Sequence, residues 1–164
     1  MPKASIRILG YNPNMIMNRG FGFWFLISIG ILLVIMLLLG QVTAIFNYDL
    51  AVSIGMQESE EEVGKVGIAW AKGFAFGDAI FYIPILTAGI IGLLMRKPWG
   101  LFSMFAAMAV TVYWPIVSLY TIFIERTAIT LTPDKYISYA TVLPLIALYG
   151  LFGMWHLFKH KHEY

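Results

Sequence analysis

The sequence predicts an all-α integral membrane protein: four transmembrane helices in an antiparallel bundle, with a short amphipathic interfacial helix between the first and second spans. Composition is the first reason. Of 164 residues, 60% are hydrophobic and 12% charged, against roughly 45–50% and about 25% in ordinary soluble domains. A chain this short cannot hide so much Leu, Ile, Phe, Val and Met in its own core, because small domains leave much of their surface exposed. Spacing is the second reason. Four stretches, 21–46, 74–95, 101–124 and 137–158, each reach the roughly 20 apolar residues of helix that a hydrocarbon layer about 30 Å thick requires. The third is the segregation of charge between alternate connections, set out below.

Residues 1–20 are read as a cytoplasmic N-terminal segment. The first span contains WFLISIGILLVIMLLLG, with no charge and apolar residues on every face. It ends in GQVTA, where Val42 and Ala44 have the small-residue pattern of a signal-peptide cleavage site. The apolar run is about twice as long as a signal h-region, so a retained span is the expectation.

An outer loop, 47–73, follows. Within it Ser59 and Glu62 have capping-box spacing, in which hydroxyl and carboxylate satisfy free amides at a helix start. The run ESEEE around them suits the positive end of a helix dipole and is read as a solvated helix start. Val63, Val66 and Trp70 then share one helical face. Residues 60–72 are therefore expected to form an amphipathic helix on the membrane surface that runs into span two. Spans two and three are joined only by Arg96, Lys97, Pro98, Trp99 and Gly100, which makes them antiparallel neighbours. Thr132, Pro133 and Asp134 mark a helix start ahead of span four. Residues 159–164 form a basic tail.

Charge sets the expected orientation. Lys3, Arg7, Arg19, Arg96, Lys97, Lys159 and Lys161 fall on one side with a single acid, Glu163. Lys65, Lys72, Arg126 and Lys135 fall on the other with nearly all the carboxylates. The positive-inside rule then puts both termini in the cytoplasm, with the plasma (inner) membrane as the expected location. Trp24, Trp70, Trp99 and Trp155 lie where an aromatic belt would. Pro84, Pro115 and Pro144 each remove a backbone donor and are expected to kink spans two, three and four. Gly89 with Gly92, and Gly150 with Gly153, are spaced for close helix approach.

The residue that draws attention is Asp78, in FAFGDAIFYIPIL. A carboxylate inside a span is costly, so it needs a partner. Tyr82 lies one turn on, and the tyrosines Tyr113, Tyr120, Tyr136 and Tyr139 stripe the same half of spans three and four. Together with Arg126, Lys135 and Glu125 they are candidates to ring Asp78 in an outward-opening polar pocket. Three roles stay open for Asp78: a packing contact, a binding group for a cation, head group or small solute, and a catalytic acid or base. Glu125 reads more simply as an interfacial anchor. At the tail, His156 and His160 are four apart, with His162 nearby, a weak metal-binding pattern.

Cysteine is absent, which excludes thiol chemistry, disulfides and cysteine-built metal centres. No metalloprotease, phosphate-loop, dinucleotide, nucleophile-elbow or haem-attachment motif occurs. No cofactor is expected. A formal net charge of +2 gives no basis for nucleic-acid binding. The expected partners are the bilayer and either another membrane protein or further copies of the chain. Three functional classes follow. The first is a non-enzymatic accessory or structural subunit. The second is a ligand- or cation-binding or transport protein centred on Asp78. The third is a membrane enzyme acting on a lipid-like substrate at the outer leaflet.

Overall fold

The computed structural model describes residues 19–162. Lys3, Arg7 and Glu163, which enter the charge argument above, lie outside them. Among the described residues there is no strand. Four helices are long and apolar enough to cross a membrane: α1 (Phe21–Phe46), α3 (Glu60–Leu94), α4 (Pro98–Phe123) and α5 (Pro133–Lys159). A short helix, α2 (Tyr48–Ser53), lies between the first two. It starts where the Asn47 side chain accepts from the Leu50 amide at 3.0 Å, the usual task of an N-cap asparagine.

Helix α3 has 35 residues, roughly 50 Å at about 1.5 Å per residue. That exceeds the about 30 Å of hydrocarbon to be crossed, so its first turns lie beyond the apolar layer. The amphipathic stretch 60–72 is thus the leading part of the spanning helix. The capping box forms, with the Ser59 amide donating to Glu62 Oε2 at 2.8 Å. Gly64, at φ 68°, interrupts the first turns.

At the other end of α3 the chain reverses in a tight turn. The Lys97 amide donates to the Gly92 carbonyl at 2.8 Å and the Arg96 amide to that of Leu93 at 3.2 Å, the paired bonds of a Schellman motif. Arg96 takes the left-handed position, φ 55°, that glycine ordinarily fills. The Arg19 guanidinium donates to the Leu94 carbonyl at 2.8 Å, placing a cation on the negative end of α3.

Packing is densest where α4 meets α3 on one side and α5 on the other. Glycines permit it. A Cβ on Gly92 would lie 2.3 Å from Gly100 Cα, and one on Gly89 2.7 Å from Met104 Cα. On α5, a Cβ on Gly150 would lie 3.0 Å from the Met108 carbonyl oxygen, and one on Gly153 2.6 Å from Met108 Sδ. Leu26, Leu86, Leu93, Met104, Met108 and Leu157 are fully buried at these contacts. Helix α1 packs along α3 through both its α-helical and its π-helical parts, and touches α5 over a smaller area. Only 22–33% of the residues in the apolar window of each span are buried inside the bundle, so most of each helix faces outward, as in a protein dissolved in lipid.

The prolines behave differently from one another. Pro84 follows a π-helical segment, Asp78–Tyr82, in α3. There the Ile83 amide reaches back five residues to the Asp78 carbonyl. A wider turn of this kind accommodates the missing proline donor. Helices α4 and α5 run through Pro115 and Pro144 without a break in helical assignment. A second π-helical segment, Leu38–Val42, lies in α1, and the two segments are in contact.

Candidate functional site

The end of the bundle that carries residues 47–59 holds three levels of polar groups. The outermost ties α3 and the segment before it to α5. Lys135 Nζ donates to both carboxylate oxygens of Glu62, each at 2.6 Å. The Thr130 amide donates to the Glu62 carbonyl at 2.9 Å. Tyr139 donates its hydroxyl to Glu58, and Tyr48 donates to the Glu58 carbonyl at 3.0 Å. The Lys72 ammonium lies 5.4 Å from the centre of the Tyr48 ring, within cation–π reach. Burial pushes the Glu58 carboxyl above its ordinary range, and the charge of Glu62 adds to the rise. Burial, with help from Glu58 and Glu62, raises the Tyr48 phenol to about 12.

The middle level lies where the two π-helical segments meet. Gln41, in α1, accepts from Gln57 Nε2 at 3.3 Å, and Gln57 is buried. Asp78, half-buried, opens the π segment of α3. Among the described residues nothing donates a hydrogen bond to its carboxylate or forms an ion pair with it.

The innermost level is buried among the helices. The Tyr82 and Thr111 hydroxyls are 2.6 Å apart, and Thr111 also donates to the Ala107 carbonyl at 2.8 Å. With the Thr111 hydrogen committed to that carbonyl, Tyr82 is the donor of the pair. The indole nitrogen of Trp114 is buried beside them, against the Tyr82 hydroxyl. Tyr149 donates to the Leu26 carbonyl at 2.7 Å, linking α5 to α1.

This arrangement gathers only part of the expected pocket. Tyr82 is close to Asp78 but is bonded to Thr111. Tyr113 and Tyr120 are 67% and 59% exposed and face away from the core of the bundle. Glu125 and Arg126 are exposed after the end of α4, and Lys135 is held by Glu62. Tyr139 serves Glu58, while Tyr136 donates to the Ile129 carbonyl at 3.2 Å. Among the described residues the ring of phenols about Asp78 is therefore not assembled. Gln41, Gln57, Glu58 and Thr111 belong to the polar levels instead. Gln41 and Thr111 carry a sequence signal, as polar residues inside apolar spans. The pairing of Glu58 with Tyr139, 81 positions apart, carries none.

At the opposite end the His156 and His160 rings lie 4.4 Å apart. His160 Nδ1 is 2.9 Å from the His156 carbonyl oxygen, so one of its nitrogens is spent on the backbone. Among the described residues no three His, Asp or Glu side chains gather as a metal site.

The chain matches no known protein family, no curated protein and no solved structure. Its chemistry must therefore be read from the site itself. A half-buried carboxylate, two amides and a phenol already donating to a hydroxyl can accept hydrogen bonds or hold a cation. They supply no activated nucleophile.

Proposed function

We propose that this is a small non-enzymatic integral membrane protein, an accessory or structural subunit that packs against partner membrane helices. The observation that carries the proposal is Asp78. A carboxyl group within a span is expensive to leave unpaired, and the side chains expected to meet it point elsewhere or are engaged. A donor from outside the chain supplies what is missing. Helix α1 beside it still turns most of its apolar surface outward, towards such a neighbour. By the positive-inside rule the end bearing Arg19, Arg96, Lys97 and Lys159 is cytoplasmic, and Asp78 lies in the outer half of the membrane.

A second reading, cation or small-ligand binding at Asp78, is favoured by one feature: the contact between two π-helical segments, a geometry frequent at functional sites. Gentle detergent purification of wild type and Asp78→Asn, with intact-complex mass spectrometry, separates the two. The subunit reading expects a second polypeptide, or a second copy, bound to wild type and weakened by Asp78→Asn. A small ion or solute retained by wild type alone, with the protein monomeric, supports the second reading and removes the first.

A further inference from the structure

The basic end of the bundle holds a shallow, open cavity of about 430 Å³ between the start of α1 and the end of α5. Its walls include Phe21, Phe25, Phe152, Trp155, His156 and His160. The rings brace one another. Phe25 and Phe152 meet edge to face at 5.4 Å, and Phe152 stacks on His156 at 5.7 Å and 19°. Gly22 sets the floor, because a Cβ there would lie 2.7 Å from His156 Cε1.

Such a cavity, apolar inside and open at the boundary between hydrocarbon and water, suits an acyl chain. Its rim decides the head group. Lys159 Nζ lies 5.1 Å from the Trp155 ring centre, and His160 stands at the edge with one ring nitrogen turned to the backbone. Arg19, Arg96, Lys97 and Lys161 share this end, and no carboxylate of the described residues does. Aromatic clefts also attract quaternary ammonium groups, but Lys159 already lies over Trp155 and would repel a choline. We propose that the cavity binds an anionic phospholipid, its chain against Phe25, Phe152 and Trp155 and its phosphate beside Lys159 and His160. The inference does not depend on the role of Asp78.

The test uses the full chain in detergent, offered equal amounts of phosphatidylglycerol and phosphatidylcholine with the same acyl chains, with bound lipid read by intact mass spectrometry. Wild type is expected to retain phosphatidylglycerol preferentially. Lys159→Gln is expected to reduce that preference about fivefold, the effect of one surface cation on an anionic lipid. His160→Gln should reduce it as well, and Trp155→Ala should lower retention of both lipids. Lys97→Gln, at the same end but off the cavity, should leave the preference unchanged, as should added inorganic phosphate. Equal retention of the two lipids by wild type would overturn the proposal. So would a loss with Lys97→Gln as large as with Lys159→Gln, which would mean diffuse surface charge. Displacement of the lipid by inorganic phosphate would mean that the rim binds a free anion. Trp155 is 56% exposed, so its truncation removes a wall of the cavity without opening the core.

Discussion

Glu58, which accepts a hydrogen bond from Tyr139, contributes to stability in a pH-dependent way. The Glu58 carboxyl is raised in the folded protein from 4.5, chiefly by burial. A carboxyl with a raised folded pKa binds protons more tightly when folded. Its contribution to stability is complete below 4.5 and is lost as pH rises through the folded value. Thermal unfolding in detergent should therefore show wild type losing more stability than Glu58→Gln as pH rises from 4.5 through the folded value. Deeper in the bundle, Tyr82→Phe and Thr111→Val should each cost about 1 kcal/mol. The double mutant should show a coupling of about 0.6 kcal/mol, the usual value for such bonds between membrane helices. Additive losses would mean that the two hydroxyls do not depend on each other. Asp78 and Tyr82 were legible in the sequence because each is a polar group within an apolar run. The stripe of Tyr113 and Tyr120 was not, since a phenol satisfies its polar tip equally well at the lipid–water boundary as inside a pocket.

Local signals governed the helices. The capping box at Ser59 and the glycine pairs at 89/92 and 150/153 depend on neighbours a few residues away, and the structure uses them as their spacing implies. The π-helical turns escape such reading: Pro84 announces a missing donor just after DAIFY, but no residue in LLGQV or DAIFY marks where the extra residue enters the helix. Two substitutions test this level. Gly92→Val should cost about 3 kcal/mol or prevent assembly, because its side chain would occupy backbone space of Gly100. Arg96→Gly should raise stability by about 0.5–1 kcal/mol, since it relieves a left-handed conformation at some cost in chain entropy. Both are read from the unfolding midpoint in detergent.

For the molecule as a whole, composition and span length were enough to specify four helices, because lipid leaves few alternatives for a backbone that must satisfy its own hydrogen bonds. The pairing of spans two and three was legible from their short link, but how α1 shares contacts with the others was not. Apart from Gln41, helix α1 is apolar on every face, so no stripe marks the side that α3 and α5 cover, and its contacts emerge only in three dimensions. Among the described residues Asp78 has no hydrogen-bond or ion-pair partner, and the proposed pairing with a neighbouring polypeptide rests on that. Photocrosslinking in native membranes probes this most directly, with a photoreactive residue replacing Ile80, which is 60% exposed and two positions from Asp78. A discrete adduct with another membrane polypeptide or a second copy, lost when Asp78 is changed to Asn, is the predicted result. Adducts with lipid alone, the same in both backgrounds, would contradict it.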